Sequence, residues 1–299
     1  MRDLIGHTPL VKINYAFEQV EGVNLFAKLE YYNPSGSVKD RTGLYMVEDA
    51  IKDGRLKRGS TIVEATAGNT GLGVAFAALN QGFHVIFVVP EKFSEEKQIL
   101  MKALGADIIH TKREDGMLGA AAKAQELLSE IKDSISLQQF KNMSNPKAHY
   151  ETTGPEIYQD LDGKIDYLVA GAGSGGTYSG VVKFLKEQNR NIKGILADPV
   201  GSTMGGGEHA DYDIEGIGND FIADTMDMSL VDKVIKINDS QAFDGARALA
   251  RHEGILGGSS TGAAFSAALK LIYEHHVKGN IVFIAPDSGD RYFSKHLYA

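Results

Sequence analysis

Short apolar runs alternate along this chain with longer segments in which apolar residues return every three to four positions. The short runs are Asn24–Leu29, Thr61–Glu64, His84–Val89, Asp107–Thr111, Ile135–Gln139, Tyr167–Ala170, Gly194–Ala197 and Ile281–Ala285, rich in Val and Ile as strands are. The longer segments, Thr70–Asn80, Glu95–Leu104, Met117–Ile131, Gly175–Glu187, Gln241–His252 and Thr261–His275, have the spacing of helices. Strands that are apolar throughout, rather than at alternate positions, are buried on both faces, which predicts parallel sheets covered by helices. The expected class is therefore α/β with open, mostly parallel sheets, whose ligands bind beyond the carboxyl ends of the strands. The polar stretch NMSNP, Asn142–Pro146, marks the junction between two lobes, a smaller one over 40–144 and a larger one made of 1–39 plus 145–299.

Composition narrows the function classes. The net charge of −8 argues against a nucleic-acid partner or an anionic membrane surface. With no cysteine, disulfides, thiolate metal sites and cysteine nucleophiles are excluded together. The histidines are scattered without metal-ligand spacing, so no metal site is expected. Neither a signal-peptide core nor a membrane-length apolar stretch is present, and the expected location is cytoplasmic. The 34 glycines exceed the usual share and point to several tight binding loops.

Four breaks in the pattern carry candidate chemistry. In NPSGSVKDR, Asn33–Arg41, a serine can cap and a helical pattern begins at Val38, which puts Lys39 in the first turn. The helix dipole and burial both lower the pKa of an amine placed there, as a Schiff-base nucleophile requires; a surface lysine paired with Asp40 or Glu30 is the alternative. In EATAGNTG, Glu64–Gly71, the residues Thr66, Ala67, Gly68, Asn69 and Thr70 open a helix whose N–H groups can bind a carboxylate or phosphate, or form a plain cap. GAGSGGT, Gly171–Thr177, matches the dinucleotide fingerprint, with Asp198 closing the next strand, but its density of donors suits a single terminal phosphate better. GGSSTG, Gly257–Gly262, opens another helix with exposed hydroxyls, and DSGDRYFS, Asp287–Ser294, follows the last strand. The glycine-rich stretch Gly201–Gly218 has the look of a loop near a site.

Together, in this order and from IGHTPLV at Ile5 to GDRYFS near the end, these pieces resemble the cysteine synthase and cystathionine β-synthase family. The resemblance implies a two-lobed, fold-type-II pyridoxal-phosphate enzyme, tryptophan synthase β-like, that binds pyridoxal 5'-phosphate. Carried over position by position, it makes Lys39 the catalytic lysine that forms the Schiff base with the cofactor. Asn69 partners the cofactor's 3-hydroxyl, Gly173, Ser174, Gly175, Gly176 and Thr177 cradle its phosphate, and Ser259 meets its pyridine nitrogen. Thr66, Ala67, Gly68, Thr70 and Gln139 become the substrate-carboxylate loop and its companion, with Gly216 and Asp220 also on the substrate side. The implied reaction is β-replacement on a serine-like amino acid through an α-aminoacrylate, in amino-acid biosynthesis, by a homodimer acting on small-molecule substrates. Movement of the smaller lobe would exclude water from the reaction.

The thiol that adds is less directly written. ADPVGS at Ala197–Ser202 and EGIGNDFI at Glu215–Ile222 resemble cystathionine β-synthases more than cysteine synthases. Asp220 could meet the ammonium group of homocysteine. Ala67 stands where many relatives have a serine, which leaves O-acetylserine and serine both open as donor; the enzyme is a transferase with the first and a lyase with the second. The leading expectation is cystathionine synthesis from homocysteine, with cysteine synthesis from sulfide as the alternative. A nicotinamide-dependent dehydrogenase built on GAGSGG is the remote reading, and a non-catalytic sensor that keeps the fold is another. No role beyond a surface position is read for His209.

Overall fold

The computed structural model describes residues 2–14, 20–91 and 95–299. In chain order its elements begin with β1 (Leu10–Ile13), β2 (Val23–Leu29), α1 (Lys39–Lys52), β3 (Thr61–Ala65), α2 (Asn69–Ala78), β4 (His84–Pro90) and α3 (Glu95–Ala103). They continue with β5 (Asp107–Thr111), α4 (Gly116–Glu130), β6 (Ser134–Ile135), α5 (Ser144–Ala148), α6 (Gly154–Asp160), β7 (Tyr167–Gly171) and α7 (Gly176–Gln188). Last come β8 (Lys193–Pro199), β9 (Lys233–Ile237), α8 (Asp239–Glu253), α9 (Ser259–Tyr273) and β10 (Gly279–Ala285). The chain divides into two compact units, Met1–Ile5 with Lys39–Asn145, and Gly6–Val38 with Pro146–Ala299. The N-terminal residues thus pack with the first unit, where the sequence had placed them with the larger lobe. Arg2 explains this, since its guanidinium donates to the carbonyl of Ala77 in α2.

The first unit holds a parallel sheet in the order β5-β4-β3-β6. Neighbouring residues of β3 serve opposite faces: Ile62 packs with Val74, Phe87 and Met101, and Val63 with Val88, Ala120 and Ala124. That two-sided burial is why the strand reads as an unbroken apolar run. The second unit holds a six-stranded sheet in the order β1-β2-β10-β7-β8-β9, parallel apart from the β1–β2 pair. Ile281 and Phe283 of β10 face one core with Leu25, while Val282 and Ile284 face another with Leu168 and Leu196. The fold is α/β with mostly parallel sheets, as expected.

Three strands differ from the sequence reading, and the short helices α5 and α6 were not read. The run at Ile135–Gln139 pairs with β3 only through Ser134 and Ile135. Beyond them the Glu64 side chain accepts hydrogen bonds from the Leu137 and Gln138 N–H groups, replacing a strand ladder with a side-chain anchor. β9 went unread because KVIKI carries lysines among its apolar residues, yet it pairs with β8 over its whole length. β1 is a four-residue antiparallel edge strand, short and half exposed. α8 starts where a capping box predicts, since the Asn238 side chain accepts from the Gln241 N–H at 2.9 Å and the Gln241 side chain accepts from the Asn238 N–H at 3.1 Å.

Candidate active site

In the first unit the sequence candidates cluster at the carboxyl end of β3. Lys39 is the first residue of α1, and Asn69 the first of α2. The helices meet through glycines: a Cβ on Gly43 would strike the backbone of Gly73, and a Cβ on Gly73 would strike the Lys39 carbonyl. Because Gly73 lies about one turn into α2, this contact sets the backbone of Lys39 beside the α2 N-terminus, whose first N–H groups have no partner within the helix. Thr66 and Thr70 are buried, and Thr70 Oγ1 donates to Gln139 Oε1 at 2.6 Å. Gln139 is also held by its carbonyl, which accepts from Asn145 Nδ2 at 2.9 Å, while Asn145 Oδ1 accepts from Thr42 Oγ1 at 3.1 Å. Ala67 is placed in the apolar core with Ile62 and Leu72, so its side chain fills space. Burial pushes the carboxyl of Glu64 up from its ordinary range, against the pull of its hydrogen bonds from Leu137, Ser136 and Gln138.

In the second unit, Gly173–Thr177 links β7 to α7. Gly175 adopts φ +83°, a left-handed conformation that suits glycine, and a Cβ there would lie 2.7 Å from Met226 Cα. A Cβ on Gly173 would lie 2.5 Å from the Gly216 carbonyl oxygen. The glycines are thus needed both for the turn and for the close packing of the segment 214–226 against it. That segment grips the turn with three hydrogen bonds: Asn219 Nδ2 to the Gly173 carbonyl at 2.7 Å, Thr225 Oγ1 to the Ser174 carbonyl at 2.6 Å, and the Gly218 N–H to the Ala172 carbonyl at 2.8 Å. Thr177 Oγ1 lies 3.2 Å from Nε2 of His149, a fully buried ring whose Nδ1 is 2.9 Å from Thr153 Oγ1. Ser259, first residue of α9 and buried, accepts from the Glu215 N–H at 3.0 Å, which leaves its own O–H to donate. Gly216 follows Glu215, so the turn and Ser259 are tied to one stretch of chain.

Asp220 lies outside this cluster. Its exposed carboxylate is 2.9 Å from Nδ1 of His209, which gives that histidine a partner the sequence did not indicate. Asp198, the acid that a dinucleotide site would need on the next strand, is almost fully buried. Its Oδ2 accepts from Lys236 Nζ at 2.5 Å and from the Gly205 N–H at 3.0 Å, so it serves the fold rather than a ribose.

The donor chemistry fits a phosphorylated pyridoxal group. Gly173–Thr177 offers a helix N-terminus, glycines at positions 173, 175 and 176 and the Thr177 hydroxyl, Ser259 offers a neutral O–H, and Lys39 offers an amine. A family profile described as "Pyridoxal-phosphate dependent enzyme" matches residues 1–287. The chain belongs to that family. This pyridoxal-phosphate enzyme is 50% identical over 296 residues to the O-acetylserine dependent cystathionine beta-synthase of Bacillus subtilis (strain 168), covering 99% of this chain and 96% of the relative. It is 44% identical to the cysteine synthase of Helicobacter pylori (strain J99), covering 100% and 98%. Among solved structures it resembles the O-acetylserine dependent cystathionine beta-synthase of Helicobacter pylori, with a TM-score of 0.93 at 43% identity over 100% of this chain and 98% of the other. The pyridoxal-phosphate enzyme therefore has the fold-type-II architecture, depends on that cofactor, and carries out β-replacement chemistry of the cysteine synthase and cystathionine β-synthase kind.

Sequence reasoning missed the supports of this site: Glu64, Asn145, His149, Asn219 and Thr225. Asn219 lies in the GIGNDF stretch and Asn145 in NMSNP, so both were in view, but their partners are 46 and 6 residues away, a relation no local spacing encodes.

Proposed function

We propose that this enzyme transfers the alanyl portion of O-acetylserine to the thiol of homocysteine, giving cystathionine and acetate. The observation that carries the choice of thiol is Asp220, an exposed carboxylate on the segment that grips the Gly173–Thr177 turn, which meets His209 through Oδ1 and could meet the ammonium group of an amino-acid thiol through its other oxygen. The 50% identity to an enzyme named for that donor supports the same reading. Pyridoxal phosphate, when bound, supplies the electron sink for negative charge developing at the donor's α-carbon. Lys39 carries the cofactor and, once displaced by the donor's amine, takes the α-proton on Nζ and later returns it. Gly173, Ser174, Gly175, Gly176 and Thr177 hold the cofactor's phosphate, Asn69 its 3-hydroxyl and Ser259 its ring nitrogen. The N–H groups around Thr66, Ala67, Gly68 and Thr70, with the Gln139 amide, hold the donor's α-carboxylate, and Gly216 lines the substrate side. Acetate leaves the β-carbon with its bonding pair, and the thiolate forms the new carbon–sulfur bond there. A smaller unit, residues 1–5 with 39–145, that moves against the rest, a homodimer and a cytoplasmic location belong to the same proposal.

A second reading, cysteine synthesis from sulfide, is favoured by the 44% identity to a cysteine synthase. A competition separates them. With O-acetylserine and equal concentrations of sulfide and homocysteine, mass spectrometry is expected to find mainly cystathionine. Mainly cysteine would overturn the homocysteine assignment and leave the β-replacement chemistry in place.

A further inference from the structure

Glu64 has no assigned part in binding cofactor or donor, yet its side chain accepts three hydrogen bonds close to the α2 N-terminus. Its Oε1 accepts from Ser136 Oγ at 3.0 Å, from the Gln138 N–H at 3.1 Å and from the Leu137 N–H. All three donors belong to one turn, in which Gln138 has φ +54°, a conformation that costs a non-glycine residue on the order of 1 kcal/mol. The register Thr61↔Ser134 and Ile62↔Ile135, if continued, would set Leu137 level with Glu64, so the carboxylate stands where strand pairing would otherwise go on. The next residue is Gln139, whose side chain meets Thr70. Glu64 and Thr70 stand at the two ends of the connection between β3 and α2, and the turn is therefore pinned to that connection on both sides.

We infer that Glu64 is a positioning residue: it holds the 136–138 turn so that Gln139 is presented beside Thr70 to the α-carboxylate of the amino-acid donor. The inference rests on the proposed role of Gln139 in donor binding. What the turn requires is an acceptor oxygen at that distance, since the partners are two N–H groups and a hydroxyl, none of them charged; burial, which pushes the Glu64 carboxyl up, works in the same direction. Glutamine supplies the oxygen without the charge. Aspartate supplies the charge with the oxygen withdrawn by one methylene.

The test compares Glu64→Gln and Glu64→Asp in the holoenzyme by steady-state kinetics, the visible absorbance of the bound cofactor and amide hydrogen exchange. Glu64→Asp is expected to raise the KM for O-acetylserine roughly ten-fold while kcat and cofactor absorbance hold, and to speed exchange at Leu137 and Gln138. Glu64→Gln is expected to stay close to the parent in every readout. Placed in a Gln139→Ala background, Glu64→Asp should add nothing further to the donor KM. Ser136→Ala, which removes one donor without touching Glu64, should raise the same KM by a smaller factor. A harmless Glu64→Asp, a Glu64→Gln as impaired as Glu64→Asp, or a Glu64→Asp effect undiminished without the Gln139 side chain would each overturn the inference. If Gln139→Ala alone leaves the donor KM unchanged, the donor-site reading falls and the inference with it. That outcome differs from the others because exchange at Leu137 and Gln138 would still respond to Glu64.

Discussion

The turn from β3 into α2 and the turn from β7 into α7 each offer a helix N-terminus to an anion, but they are fixed in different ways. The first is held by side chains: Thr70 on Gln139, Asn145 on the Gln139 carbonyl, Glu64 on the N–H groups before it. The second is held by packing, with Gly173 and Gly175 pressed against Gly216 and Met226 and the carbonyls of Ala172, Gly173 and Ser174 all capped from the segment 214–226. Hydrogen bonds between side chains can lengthen and reform at modest cost, whereas a close-packed turn yields only by displacing backbone. On the proposed function, the difference suits a first turn that would meet a reactant every turnover and a second that would keep a resident group.

The largest effect should come from breaking the packed turn. Gly175→Ala forces a side chain into a left-handed position against Met226 and is expected to cost about 3 kcal/mol and to weaken retention of pyridoxal phosphate. Thermal unfolding and cofactor release on dialysis measure both, and an unchanged melting temperature would contradict the packed-turn description. A smaller and different effect is expected in the hydrogen-bonded turn. Thr70→Val keeps the shape but removes the donor to Gln139, raising the donor KM about ten-fold with cofactor retention intact, as titration with O-acetylserine would show. The smallest effect concerns pH. The folded state raises the carboxyl of Glu64, so its contribution to stability is full below the ordinary carboxylate range and is lost as pH rises through the raised value. Glu64→Gln removes that dependence, and the gap between variant and parent melting temperatures should widen in the variant's favour across that window and then level off.

The same contrast explains what could be read beforehand. The packed turn was legible as GAGSGGT because a glycine-dense break between a strand and a helix is a local pattern, and breaks at NPSGSVKDR, EATAGNTG and GGSSTG placed the starts of α1, α2 and α9 within two residues, at Val38, Thr70 and Thr261 against Lys39, Asn69 and Ser259. The hydrogen-bonded turn was not. Ile135–Gln139 has the composition of a strand, and the Glu64 carboxylate, from a strand far earlier in the chain, holds its second half as a turn. β9 was hidden for a related reason: Lys236 looks like a solvent residue in sequence, while in the fold it neutralises the buried Asp198 and donates to the Ser202 carbonyl at 2.7 Å. His209 and Asp220 are 11 positions apart on a loop without periodicity, so their pairing left no trace in the spacing.

The two glycines where α1 crosses α2 have a further consequence. With no side chain between them, Gly43 and Gly73 bring the helices into backbone contact, and the Lys39 carbonyl rests on the second. The pair behaves as a weld. A shift of the first turns of α2 must carry the start of α1 with it, so Lys39 and Asn69 travel in lockstep. On the proposed function, sliding of one helix past the other is thereby closed as a way to change the distance between the Lys39 amine and a donor held at the α2 N-terminus, and rotation of the lysine side chain remains open.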